Sequence, residues 1–179
     1  MFQRRSKAAI LTGEPPALIA LVLILWSTLL YLVISNCIVG SATIAGTSMK
    51  PTLEDGSRVL VLRWMTYLRL PARGEIVALS ADNGEGYYVK RVIGLPGDSV
   101  TIRGGHVFLN GKKLWEPYLE AATSQTFVTE GSRRSIKVPP RHLFVLGDNR
   151  ADSTDSRDFG PIAAARIRGI VKPWLTLSP

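Results

Sequence analysis

The chain has a single cysteine, Cys37, and two histidines, His106 and His142, and each shortage closes off a class of chemistry. One thiol excludes an internal disulfide, and Cys37, at the end of an apolar run, reads as packing rather than as a nucleophile. His106 sits in a turn-rich hairpin pattern and His142 follows Pro139-Pro140-Arg141, with no acid spaced to complete a triad. Both are therefore poor general bases. Zinc spacing is missing as well, so no metal and no cofactor are expected. Internal repeats and long amphipathic helices are absent, which leaves a mostly antiparallel β architecture for everything beyond the apolar run.

Charge is missing from one long stretch. No Asp, Glu, Lys or Arg occurs from Ala17 to Ile34, and the uncharged segment runs on to Met49. Eighteen such residues rising about 1.5 Å each cover roughly 27 Å, the hydrocarbon thickness of a bilayer. The reading is a cytoplasmic N-terminus over 1–16, a single transmembrane anchor over 17–36 and one extracytoplasmic domain over 37–179. Arg4, Arg5 and Lys7 ahead of the run keep that end in the cytoplasm. The competing reading is a cleaved secretory signal, for which Gly40 to Ala42 supplies small residues, but the run is long for one.

The net charge of +8 invites a nucleic-acid partner. The basic residues are scattered among acids and apolar strands without aromatic interleaving, so membrane lipid is the expected partner and nucleic acid is not.

Within the domain, Ser57 to Leu62, Glu75 to Leu79, Tyr87 to Ile93, Val100 to Arg103, His106 to Leu109, Lys112 to Leu114, Ile136 to Val138, Leu143 to Leu146 and Arg166 to Val171 read as strands. Gly104-Gly105 and Asn110-Gly111 are two-residue turns of the primed kind, and Ala81 to Gly86 is a further turn. Trp64 to Leu70, rich in aromatics and arginine, is expected to cover the core in preference to forming a lip at a membrane interface. From Trp115 to Arg134 the sequence is polar and weakly periodic, a surface excursion of unreadable role.

Three stretches carry chemistry. In Gly46-Thr47-Ser48-Met49-Lys50-Pro51, the proline fixes its own φ and pushes Lys50 out of the helical region. Such a bend can expose the Ser48 hydroxyl and turn nearby backbone N–H groups towards a developing oxyanion. A serine needs a base. In Tyr87-Tyr88-Val89-Lys90-Arg91-Val92-Ile93, alternation puts Lys90 on one face with Tyr88 and Val92, an apolar setting that lowers an amine's pKa, and leaves Arg91 on the opposite face in water. Alternation alone favours a strand lysine snorkelling to solvent. The third stretch, Gly147 to Gly160, packs acids, arginines and hydroxyls more densely than a solvated loop needs.

Together these stretches resemble the type I signal peptidases of the serine/lysine kind. Ser48-Met49 with Pro51-Thr52-Leu53 matches the nucleophile box, and Arg73-Gly74-Glu75-Ile76-Val77 resembles the strand box that follows. Lys90 to Asp98 matches the lysine box, and Gly147-Asp148-Asn149-Arg150 with Ser153, Asp155, Ser156 and Arg157 matches the closing box. The resemblance implies a signal-peptidase-like antiparallel β catalytic domain behind one transmembrane helix. It implies Ser48 as nucleophile, Lys90 as general base and Ser153 as the hydroxyl that orients the lysine. The Ser48 N–H would supply one oxyanion donor, while Gly46 stands where some members place a serine that supplies a second. Asp155 and Arg157 are expected as a structural ion pair, with Asp148 and Arg150 also structural. Glu75 replaces a more usual aspartate, a change expected to matter little. The implied substrates are secreted preproteins, cut after small residues at the first and third positions before the bond. Shallow pockets lined by residues near Met49 and the lysine strand would select them.

Two other classes remain open in the sequence. One is a different serine/lysine peptidase, either a self-cleaving repressor or a specialised enzyme maturing a conjugative pilin or other dedicated substrate. A repressor would carry a DNA-binding domain where the apolar run stands. The other is a non-catalytic, membrane-tethered β module, against which the intact serine, lysine and closing serine argue.

Overall fold

The computed structural model describes residues 16–81, 86–119 and 135–177, without the side chains of residues 36, 37 and 174–177. The basic N-terminus, the centre of the Ala81–Gly86 turn, most of the polar excursion and the side chain of Cys37 lie outside the described residues.

The apolar run forms one helix, α1 (Pro16–Val33), extended by a π-helical turn over Ile34–Ile38. With a mean hydropathy of 2.3, α1 is long and apolar enough to cross a membrane, and none of the described residues covers it. Ser27 and Thr28 turn inward on the backbone, both donating to the Ile24 carbonyl. That arrangement satisfies both of these hydroxyls in an apolar solvent.

Among the described residues eleven strands follow, with two short helices and a 3₁₀ turn. They are β1 (Val39–Thr43), β2 (Arg58–Leu62), β3 (Ile76–Ser80), β4 (Tyr87–Gly94), β5 (Ser99–Arg103), β6 (His106–Leu109), β7 (Lys112–Lys113), β8 (Ser135–Lys137), β9 (His142–Leu146), β10 (Ile162–Ala163) and β11 (Ile167–Leu177). The helices are α2 (Trp64–Leu68) and α3 (Ser156–Phe159). A seven-stranded sheet runs β1-β2-β11-β3-β4-β9-β10 and a four-stranded sheet runs β7-β6-β5-β8, with every recorded pairing antiparallel. The mostly β reading therefore holds. Sequence reading missed β1, β10 and α3. β1 lies where small residues suggested a cleavage site, and it pairs with β2 along its whole length, Val39 opposite Leu62 and Thr43 opposite Arg58.

Alternation explains the layers. On β3, Ile76 and Ala78 enter one core cluster with Val59, Val61 and Val89, while Val77 and Leu79 enter another with Val92, Leu143 and Val145. The small sheet closes a third cluster, in which Val100, Ile102 and Val107 meet Ile93, Phe144 and Leu146. β3 and β4 are thus central strands with protein on both faces, so burial runs continuously along most of their length instead of alternating. The hairpin turns are of the left-handed kind expected, with φ of 50° and 81° at Asn110 and Gly111.

Two expectations fail. Trp64 to Leu70 does not cover the core. Its first five residues form α2, and Tyr67 and Leu68 are 78% and 74% exposed. Ile44, Met49 and Leu53 from the β1–β2 connection join the core cluster instead, and α2 buries none of its residues. Arg91 does not lie in water either: the face of β4 opposite Lys90 is covered, and Arg91 is 7% exposed.

Candidate active site

Ser48 sits in the connection between β1 and β2, where Lys50 N–H donates to Thr47 O and Leu53 N–H to Met49 O. Met49 and Leu53 are buried in the core and anchor the turn, so the intervening backbone has little freedom. Gly46 has φ of +97°, which an L side chain rarely adopts, and its N–H donates to Asp55 Oδ1 at 2.8 Å. A serine at position 46 would be strained in this backbone.

The closing loop lies directly on that turn. Asn149 N–H donates to Ser48 O at 3.0 Å, and Thr47 Oγ1 donates to Asp152 Oδ2 at 2.5 Å. Gly147 is the point of closest approach. A Cβ there would stand 2.2 Å from Ser153 Oγ and 2.5 Å from Ser48 O, so only glycine lets these two serines come so near each other.

Lys90 arrives from the middle of β4, opposite Val77 on β3, and is 4% exposed. Its amine donates to Ser153 Oγ at 3.0 Å, and that hydroxyl donates to Asp155 Oδ2 at 2.9 Å. The amine is thus bonded to Ser153 rather than to Ser48, and Gly147 is the residue against which both serines pack. Desolvation lowers the Lys90 pKa from its ordinary value, against the opposing pull of the Asp155 carboxylate. Beside the amine is a cavity of about 230 Å³, lined among others by Leu79, Tyr88, Thr154, Phe159 and Ile162.

Asp155 is fully buried and saturated. Its carboxylate accepts from Gly147 N, Ser153 Oγ, Arg157 N and the Arg157 guanidinium, with Arg157 Nε 2.8 Å away. It also caps α3 in a capping box whose return bond runs from Asp155 N to Asp158 Oδ2 at 2.9 Å. The pattern Asp155-x-x-Asp158 is the signal that sequence reading overlooked. Arg157 reaches back to the carbonyls of Arg150 and Ser153, tying the loop to itself.

Sequence reading also missed the partners of Asp148 and Arg150. Arg91 holds Asp148 in a two-pronged bond of 2.8 and 2.6 Å, and Thr52 Oγ1 donates to the same carboxylate. Arg150 holds the Gly147 carbonyl at 3.0 Å and pairs with Glu116. The histidines stay out of this cluster: His106 is exposed in the small sheet, and a ring nitrogen of His142 lies 2.8 Å from the Pro140 carbonyl. No group of acids, histidines or cysteines that could hold a metal occurs among the described residues.

A serine turn and a desolvated lysine gathered under one loop are the parts a serine peptidase without a histidine base would need. Comparison with known proteins narrows that class. A family model described as signal peptidase, peptidase S26, matches residues 17–175. The signal peptidase I of Bacillus licheniformis is 42% identical over 131 residues, covering 70% of each chain. One from Bacillus amyloliquefaciens is 37% identical over 171 residues, covering 93% of this chain and 88% of the other. Signal peptidase I T of Bacillus subtilis (strain 168) is 40% identical over 152 residues, covering 82% and 78%. A crystal structure of a signal peptidase I from Enterococcus faecalis V583 has 32% identity and a TM-score of 0.48, covering 58% of this chain and 98% of that one. The chain belongs to the signal peptidase family, and it is a serine peptidase that acts on the signal peptides of preproteins.

Proposed function

We propose that the protein is a membrane-bound endopeptidase in which Ser48 attacks the scissile carbonyl and neutral Lys90 is the general base. The observation that carries this reading is Lys90 itself, a buried amine whose bond at 3.0 Å goes to a hydroxyl. A neutral amine has two N–H bonds and one lone pair. Donating one N–H to Ser153 Oγ orients the lone pair and leaves it able to accept the Ser48 proton. As Oγ bonds to the carbonyl carbon, Lys90 takes that proton and passes it to the leaving amine. Water, deprotonated by the same lysine, then releases the acyl group from Ser48. Ser48 N–H is the first oxyanion donor. The left-handed backbone at Gly46 fits a second donor other than a side chain at that position.

In this reading α1 is a single transmembrane anchor with its N-terminus in the cytoplasm, and the domain from residue 37 onward faces the far side. The anchor keeps the dyad beside secreted preproteins whose own apolar segments are held in the bilayer, in contact with membrane lipid. Cleavage follows small residues. The cavity beside Lys90 lies along the lysine strand, whereas Met49 is buried in the core and supports the turn rather than lining that cavity.

The test is incubation of the detergent-solubilised full chain with a preprotein bearing alanines before its cleavage site, beside Ser48→Ala and Lys90→Ala variants. Cleavage by the parent chain alone is expected. Full activity of the Lys90 variant would remove the base. Product from a pilin precursor and none from the preprotein would point to a dedicated maturation enzyme.

A further inference from the structure

The start of the polar excursion turns inward at two residues. Trp115 is 83% exposed, yet Glu116 and Tyr118 reach under the closing loop. The Glu116 carboxylate accepts from both terminal nitrogens of Arg150, a guanidinium with no solvent exposure, and from the Tyr118 hydroxyl at 2.7 Å. The Tyr118 ring lies beneath Arg91, whose Cζ is 3.9 Å from its centroid, and packs on the core of the small sheet. Burial and the Glu116 charge hold the Tyr118 pKa far above its ordinary value, so its hydroxyl remains a donor at any working pH.

Arg91 and Arg150 are the two cations that grip the loop from below. Arg150 Nε holds the Gly147 carbonyl, and Gly147 is where Ser48 and Ser153 come together. Arg91 holds Asp148, and through it Thr52 in the Ser48 turn. Neither arginine has Lys90 or Ser48 as its partner in these bonds. Each is fixed on one side by the loop and on the other by the segment 115–119.

We propose that Glu116 and Tyr118 are positioning residues for the peptidase site, fixing Arg150 and Arg91 so that Gly147 holds Ser48 against Ser153. The small sheet thereby acts as the backstop of the catalytic loop. The kinetic part of this inference rests on the Ser48–Lys90 reading, whereas the structural part does not.

The experiment takes the full chain in detergent with Glu116→Ala, Tyr118→Leu and the milder Tyr118→Phe, which keeps the ring under Arg91. It measures peptide cleavage against pH and amide exchange. Misplacing reacting groups by an ångström can lower rates about 100-fold, so Glu116→Ala is expected to lower kcat at least ~30-fold with KM within about twofold. Exchange at the Gly147 and Asn149 amides should rise about tenfold or more, while amides of β5 and β6 keep the parent rates. Tyr118→Leu changes no charge, so re-solvation of Lys90 should move the acid limb of the rate profile up by about half a pH unit. Tyr118→Phe should lose about threefold or less in kcat. The proposal is overturned if Glu116→Ala and Tyr118→Leu keep kcat within twofold, if the loss falls on KM alone, or if exchange rises equally through both sheets. Should Lys90→Ala remain active, the dyad fails, and the exchange at Gly147 and Asn149 still decides whether segment 115–119 holds the loop.

Discussion

The closing loop and the rim of the large sheet both set arginines against carboxylates, in opposite surroundings. On the loop, Arg157 meets Asp155 and Arg91 meets Asp148, with both carboxylates fully buried and every oxygen satisfied. At the rim, Arg69 meets Glu75 at 2.8 Å with a side chain that is 43% exposed, and Lys50 meets Glu54 in the open. A buried pair that loses one partner strands an ion in low dielectric, typically a loss of about 3 to 5 kcal/mol, whereas exposed pairs contribute about 1 kcal/mol or less. The loop pairs therefore dictate geometry, and the rim pairs merely decorate it. Geometry of that kind is what a serine and an amine need if one is to deprotonate the other.

Lys90 sharpens the comparison most, because it is a buried cation precursor bonded to a hydroxyl rather than a carboxylate. Lys90→Met is expected to lower kcat at least ~10⁴-fold, as loss of a base does in related chemistry, and yet to raise stability. The sign follows from the lowered pKa. Below the folded-state pKa the unfolded chain and the native protein both carry the proton, and the native state bears the full cost of burying it. As pH rises from the folded pKa towards the unfolded value, near 10.4, that cost disappears. Parent stability should therefore climb with pH across this window, and the Lys90→Met curve should lack that climb. Thermal unfolding of both proteins at several pH values checks it, and a Lys90→Met protein less stable than the parent at neutral pH would show that the amine is not desolvated.

Asp155→Ala comes next. It removes the cap of α3, the acceptor of Ser153 and the partner of Arg157 together, with an expected loss of about 3 to 5 kcal/mol in denaturant unfolding. A loss below about 1 kcal/mol would place this pair with the rim. Gly147→Ala should act on geometry with less effect on stability. The new methyl would displace the Ser48 carbonyl or the Ser153 hydroxyl, and kcat should fall about 100-fold with the fold intact. A steady-state assay beside circular dichroism separates the two.

How much of this was legible in the sequence depended on range. Lys90 beside Tyr88 and Val92 follows from a period of two, and the hairpin turns follow from Asn110-Gly111. Arg91 was misjudged because alternation describes one strand, and only the small sheet, brought over β4 by the Phe144–Leu146 end of β9, covers the second face. Trp64 to Leu70 was misjudged for the converse reason: its composition suits a core, but the core cluster draws on Ile44, Met49 and Leu53, and α2 buries none of its residues. Glu116 and Arg150 meet across 34 residues, and no local pattern records that pairing. The capping box over Asp155 and Asp158 was local and readable, and was hidden only by the density of charge around it.

The rim offers the smallest effect and the cleanest contrast. The Arg69 guanidinium, with help from the Ala72 N–H and Lys172, holds the Glu75 carboxyl down at about 2 despite some burial. A depressed carboxyl contributes stability above its unfolded pKa and loses it as pH falls towards the folded value. The contribution should therefore be full above about pH 4.3 and fade down to about pH 2. Because Arg69 is largely in solvent and screened, Arg69→Ala should cost no more than about 1 kcal/mol, with kcat unchanged, and the difference from the parent should shrink as acid titrates Glu75. Unfolding of the two proteins between neutral pH and pH 2 measures this. A difference that stayed constant through the acid range would show that Arg69 acts through packing of its stem rather than through charge, and a fall in kcat would mean that the rim reaches the site after all.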